Sequence, residues 1–449
     1  LSTVELTACS HFPRVEIQGI KITEDIPPIF LQSPPEFSSV EADLSVGRIV
    51  DVHVGEPSPI WLKIPSSKLL HVLIAGKTGS GKTNTAFNLV LQLFRLGWDI
   101  IVLDWKNTWR QLLYILNEHE RERLRIYTLA NPNVNPLRLN LLRPPEGVSW
   151  VDWADVVSEI FAYSYIPHPR SRSVVREELD NLYLKAAKTG RMPSLKDLYE
   201  CIERRISVTD ARVAGRGEIE SLNAIRSRLW EYANEHGKLY VFNDDVVKIE
   251  ELFVEKSENR IIILESAGLY SNHKTFILSL IASAIYSYYI TRTNKRKRPL
   301  IIIIEEANHL IPPENIIFEQ LHIYESIWET MFRELREKNI YLMAIAQIPC
   351  ALPRSIQMNT PFKILMNLGV GDTTAKTDVD VFLEAMGLDP RWDHRHVKRF
   401  TERMPVGWGM VRIPYWEKQW DAWPFLVQFP LILKSKYPSD DDVRSLAKK

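Results

Sequence analysis

His71-Val72-Leu73-Ile74-Ala75 runs directly into Gly76-Lys77-Thr78-Gly79-Ser80-Gly81-Lys82-Thr83, and this stretch decides the fold. The first five residues are a short apolar run of strand type. The next eight match G-x-x-x-x-G-K-[ST] in full. Residues 83–96 then show helical spacing, with Phe87, Val90, Leu91 and Phe94 on one face. Strand, glycine-rich turn and helix in that order make a phosphate cradle. The glycines let backbone N–H groups turn inward around phosphate oxygens, and the helix presents its positive end to them. Lys82 would bridge the β- and γ-phosphates of ATP, and the Thr83 hydroxyl would ligate Mg2+. A chance glycine-rich turn is the competing reading, but strand and helix stand where the chemistry requires them.

Outward from this loop, residues 99–103 form a second apolar strand ending at Asp104. Strand, turn, helix, strand is the opening of a parallel α/β sheet. Residues 260–264 and Leu300–Ile304 read as further buried strands, 274–290 as a long apolar helix and 319–337 as another helix. Ile340–Ala346 is a strand ending at Gln347, and 362–368 and 409–413 are strand candidates. Between the two halves, helical spacing recurs over 151–187, 195–206 and 219–233. The expected organisation is a β-rich N-terminal segment (1–64), a first core part (65–110) and a mostly helical insertion (111–255). A second core part (256–433) and a C-terminal tail (434–449) follow.

At 449 residues the chain is too long for one ordinary domain. With 45% apolar and 25% charged residues it is globular, which excludes collagen-like and disordered classes. Lys+Arg and Asp+Glu are both 56, so bulk charge cannot coat nucleic acid, and any DNA affinity must come from local basic clusters. Three widely spaced cysteines, Cys9, Cys201 and Cys350, form neither a disulfide framework nor a metal knuckle. A reducing, cytoplasmic compartment fits them. The uncharged run 275–291 falls just short of a membrane span and holds serines, so a buried helix is expected. The chain starts at Leu1 rather than Met, which leaves open a membrane anchor upstream.

The second half of a phosphate-transfer site is an acidic group at the end of a buried strand. Glu305 would hold the metal through water, and Glu306 would polarise the attacking water as general base. A strand exit into solvent is the plain alternative. Asp104 ends the neighbouring strand and belongs either near the Mg2+ or the attacking water, or to a helix cap. Gln347 could hydrogen-bond the γ-phosphate and report its loss, or be a satisfied buried amide. Arg333 and Arg336, three residues apart, would bring positive charge to a phosphate across a subunit interface, or pair with Glu334 and Glu337. The run Lys295-Arg296-Lys297-Arg298 reads as a solvated loop or a DNA-backbone contact. Lys274 and Arg354 are candidates for a pore surface. Thirteen tryptophans, with Trp408, Trp416, Trp420 and Trp423 late in the chain, suggest core or interface packing.

Taken together these motifs resemble the HerA/FtsK superfamily of ring-forming DNA motors, and most nearly its HerA-like branch with the conjugation- and DNA-import-type ATPases. The likeness is carried by residues 71–85, by Val102-Leu103-Asp104-Trp105-Lys106, by Ile303-Ile304-Glu305-Glu306-Ala307, by residues 332–338 and by Ala346-Gln347. Asn135-Pro136-Leu137-Arg138-Leu139-Asn140 resembles the opening of the family's insertion. The resemblance implies a RecA-like core, a homo-hexamer, and ATP-driven translocation of double-stranded DNA. It implies a nucleotide-binding set of Gly76, Thr78, Gly79, Ser80, Gly81, Lys82, Thr83 and Asn84, with Mg2+ at Thr83 and Glu305. Glu306 would be catalytic, Gln347 the γ-phosphate sensor, and Arg333 or Arg336 the trans-acting arginine. A nuclease or membrane channel would be the partner. The alternative within the superfamily is a secretion- or conjugation-type ATPase that energises a membrane machine without threading DNA. Two departures stand out. The family's His follows Glu-Glu-Ala at once, whereas here Asn308 precedes His309. The acid that often follows the second strand is absent from Asp104-Trp105-Lys106-Asn107-Thr108.

Overall fold

A computed structural model describes residues 26, 30–32, 42–209, 216–368, 383, 394–413, 423–432 and 436–447. Cys9, Trp416 and Trp420, together with the side chains of His394 and His396, lie outside the described residues. The strands are β1 (Leu44–Asp51), β2 (Glu56–Ile64), β3 (Val72–Ala75), β4 (Asp99–Asp104), β5 (Leu124–Thr128) and β6 (Ile261–Glu265). They continue with β7 (Leu300–Ile304), β8 (Ile340–Ala346), β9 (Phe362–Leu365), β10 (Trp408–Arg412) and β11 (Phe425–Gln428). The main helices are α1 (Lys82–Arg95), α2 (Trp150–Tyr165), α3 (Pro169–Thr189), α4 (Leu195–Val208), α5 (Arg216–Ala233), α6 (Ser271–Ile290), α7 (Ile327–Glu334), α8 (His394–Arg403) and α9 (Asp440–Ala447).

All the strands join one 11-stranded sheet in the order β2-β1-β11-β10-β9-β3-β8-β7-β4-β6-β5. From β9 to β5 every neighbouring pair is parallel. From β9 outward through β10, β11, β1 and β2 the pairs are antiparallel. The N-terminal hairpin therefore extends the core sheet through β11. Gly47 permits that junction, since a Cβ there would sit 2.4 Å from the Gln428 carbonyl oxygen. The central parallel strands are apolar along their middles because helices cover both their faces. Alternate residues feed two separate cores. Ile101, Leu103, Ile302 and Ile304 face one, with α2, α6 and α7. Ile100, Val102, Ile301 and Ile303 face the other, with α1. Phe87 of α1 stacks on Trp109 at 4.4 Å between ring centroids, locking the helix against the turn after β4.

Several expectations change. Residues 124–128, inside the expected helical insertion, form β5 at the sheet edge. Its alternation was legible: Leu124, Ile126 and Thr128 are buried while Arg125 is exposed. The expected helix over 319–337 is broken. His322 has φ 55°, and α7 starts only where Ser326 and Glu329 form a capping box. Residues 275–285 are buried within α6, while Ile290 and Thr291 at its end are exposed, and among the described residues no helix is long and apolar enough to cross a membrane. The basic run 295–298 is partly internal: Arg296 is buried and pairs with Asp99 at 2.6 Å, and Arg298 reaches the same carboxylate. Lys274 is also buried, donating to the Trp105 carbonyl at 2.8 Å, so it is no pore residue.

Candidate functional site

Strand order explains the site. β8 lies between β3, which leads into the glycine-rich loop, and β7, which leads into the acidic pair. Parallel strands end on the same edge, so Gln347, one residue past β8, falls between the loop and Glu306. The contacts confirm this placement. Gln347 Oε1 accepts from the Thr78 hydroxyl at 2.9 Å, and its Nε2 donates to Glu306 Oε1 at 2.5 Å. The residues enclose a cleft of about 350 Å3 lined by the loop, Lys106, Glu305, Glu306 and Gln347.

The loop itself wraps on Gly81, whose φ of +108° is open to glycine alone without strain. Lys82 Nζ donates to the Gly76 carbonyl at 2.5 Å and the Lys77 carbonyl at 2.9 Å. Desolvation pushes its ammonium down to about 8, with Glu306 pulling the other way. Ser80 Oγ is buried without a partner, and a Cβ on Gly76 would stand 2.6 Å from it.

Glu306 takes a left-handed conformation with φ 51°, uncommon for a residue with a side chain. Its Oε1 is held by Gln347 and by the Lys106 ammonium. Its Oε2 is buried and has no partner. Such an orphaned carboxylate oxygen costs free energy unless a ligand or water uses it. Glu305 takes N–H bonds from Trp105 at 3.0 Å and Lys106 at 3.3 Å on one oxygen. Burial holds its carboxyl above the usual carboxylate range.

Asp104 is fully buried and accepts from the N–H groups of Lys106 (3.1 Å), Thr108 (3.2 Å) and Trp109 (2.9 Å). Burial, with Glu305 beside it, lifts its carboxyl well above the ordinary range. It organises the turn after β4, and its carboxyl also hydrogen-bonds that of Glu305, which lines the cleft. Trp105 is sandwiched between Lys274 (4.6 Å from its ring centroid) and His309 (5.3 Å between rings). The shifted histidine of the acidic segment thus packs on the residue after β4, whose N–H bonds Glu305. Arg333 and Arg336 are exposed at the other end of β8, roughly 20 Å along the strand from Gln347. Arg333 pairs there with Glu325 and Glu334.

Asn84 is a different case. Its Nδ2 donates to the Pro430 carbonyl at 2.7 Å, and its Oδ1 accepts from Ile432 N–H at 2.7 Å. Its side chain grips backbone while the residue also lines the cleft. Sequence reasoning overlooked Lys106 as a partner of Glu306, because attention in that segment went to the acid missing at Thr108. It also overlooked Leu431, which lines the same cleft.

A phosphate loop, an acidic pair two strands away and a bridging amide on the strand between define a P-loop ATPase on a RecA-like α/β sheet. The chain belongs to the HerA helicase central-domain family, whose model matches residues 45–285. It is 22% identical over 368 residues to the DNA double-strand break repair helicase HerA of Sulfolobus acidocaldarius, a stretch covering 79% of this chain and 66% of that protein. The chain thus spans just under two thirds of that relative. Two solved structures share the fold. VirB4 of Thermoanaerobacter pseudethanolicus has TM-score 0.59 and 15% identity, with 89% of this chain and 98% of that one covered. The plasmid coupling protein TrwB with a non-hydrolysable ATP analogue has TM-score 0.59 and 14% identity, covering 91% and 97%.

Proposed function

We propose that this chain hydrolyses ATP as one subunit of a ring-forming motor that moves double-stranded DNA. The hydrolysis reading rests on one observation above all. Glu306 Oε2 is buried and unpartnered beside a phosphate loop, while Oε1 is pinned by Lys106 and Gln347. A carboxylate held by one oxygen and open at the other is posed to accept a proton from water.

The loop N–H groups and Lys82 bind the phosphates, and Lys82 exchanges its carbonyl partners for phosphate oxygens. Thr83 and Glu305 both line the cleft and offer only oxygen donors, the set Mg2+ prefers. The metal would neutralise charge on the β- and γ-phosphates. Gln347 touches both the loop and Glu306, so the γ-phosphate's presence or loss changes its hydrogen bonds and those of β8. Among the described residues no arginine lines the cleft. Arg333 or Arg336 of an adjacent copy would supply that charge, which makes the site incomplete without a ring.

The DNA track is supported by family membership and by the helicase named as the sequence relative. The test is the steady-state ATPase rate against linear double-stranded DNA at low and moderate salt, with Glu306→Gln as blank. Strong stimulation that weakens with salt is expected. A flat response would overturn the DNA track and favour a motor energising a membrane machine.

A further inference from the structure

The cleft has two ends. Lys82, Glu306 and Gln347 mark the γ-phosphate end, with Thr83 beside them at the proposed metal, and Asn84, the next residue of α1, leads away from it. A nucleotide whose phosphates lie on the loop must project its sugar and base toward the other end. Leu431 stands there. It lines the cleft and is 85% exposed, a large apolar side chain left in water.

Its position is imposed by the backbone. Asn84 clamps the chain on both sides of Leu431 with two 2.7 Å bonds, one to the Pro430 carbonyl and one from Ile432 N–H. A second tie runs from Phe429 N–H to the Gly407 carbonyl (2.8 Å) and from Gly407 N–H to the Ser80 carbonyl in the loop (3.0 Å). Phe429 and Ile432 pack on the apolar core, so Leu431 between them is turned outward. The segment after β11 is thus fastened to the phosphate loop and its helix at two points.

We propose that Leu431 is the platform for the flat aromatic base of the bound nucleotide, and that Asn84 is the positioning residue that holds it there. The inference rests on the nucleotide site proposed above. An exposed leucine covered by an aromatic ring recovers much of the transfer free energy of an aliphatic side chain, enough for roughly tenfold in affinity. The same clamp assigns the Asn84 side chain a part in base binding.

The experiment compares the dissociation constants of Mg-ATP and of inorganic tripolyphosphate with Mg2+, by calorimetry on the full chain. In Leu431→Ala, ATP binding should weaken about tenfold with tripolyphosphate unchanged. Leu431→Phe should keep ATP affinity. Asn84→Ala should reproduce the selective loss of ATP. Unchanged ATP affinity in Leu431→Ala, or equal loss of both ligands, overturns the platform while leaving the nucleotide site intact. If the unsubstituted protein binds neither ligand, the nucleotide site itself is overturned, and the platform with it.

Discussion

Glu306 carries the sharpest expectation at the scale of single residues. Its role as general base predicts that Glu306→Gln binds ATP normally but turns it over at least ~100-fold more slowly. Near-normal turnover in a single-turnover assay would remove it from the mechanism. Lys82 gives a pH dependence. Burial sets its ammonium near 8 in the free protein, well below an ordinary lysine. Phosphate oxygens favour the charged form and raise it again. Binding between pH 8 and 10 must therefore take up a proton, and ATP affinity should weaken as pH rises above 8. Calorimetry in buffers of different ionisation enthalpy reads that uptake directly. An affinity that stays constant from pH 7 to 9.5 would contradict it. Of the candidate residues, the loop and Glu306 were legible from sequence because each chemistry demands a particular residue at a strand end. Asp104 was ambiguous, since a carboxylate at a strand end serves a metal or a turn equally well. The structure gives it both the turn, through three backbone donors, and a hydrogen bond to the Glu305 carboxyl.

Elements are held by a few buried polar joints as well as by packing. Arg110, in the turn after β4, forms a bidentate pair with Glu265 at the end of β6, both bonds 2.7 Å, and also reaches Asp440 of α9 at 3.0 Å. Glu265 is almost wholly buried. Glu265→Ala would leave a buried guanidinium with half its partners, at a cost of ~3–5 kcal/mol, measured by urea denaturation. A loss below 1 kcal/mol would show that Asp440 alone satisfies Arg110. Tyr437, just before α9, bonds the Asn107 carbonyl of the same turn, and Arg444 of α9 bonds the Asn133 carbonyl after β5, so the C-terminal segment ties these two loops together. Sequence periodicity placed α1, α4, α5 and α6, because long amphipathic or wholly apolar runs leave few alternatives, but it ran α2 and α3 together across the break at Ile166–His168. It overextended the helix ending at 337, where the capping box at Ser326 marks the true start.

The whole molecule raises the question of the ring. The arginines expected to act in trans sit at the edge of the sheet away from the cleft, so neither serves its own site. An assembly that shares sites predicts complementation. Arg336→Ala or Arg333→Ala subunits mixed with Glu306→Gln subunits should recover turnover that neither partner shows alone. Full activity from a species that light scattering shows to be a monomer would refute shared sites. Any DNA contact must draw on other surfaces as well, because Arg296 and Arg298 of the most basic run are spent on Asp99.

Sequence alone determined the phosphate loop, the acidic strand end and the α/β class, because these are local. A phosphate needs consecutive N–H groups, and a buried parallel strand needs an unbroken apolar run. The tertiary structure decided what distant segments do to one another. Strand order put Gln347 between Thr78 and Glu306, and the loop after β4 brought Lys106 onto Glu306. The crossing of β11 past α1 put Leu431 under the clamp of Asn84, 347 positions away by subtraction of the two residue numbers. No local pattern encodes these meetings. They follow from which strands pair, and that is settled by burial of the whole sheet between its two cores.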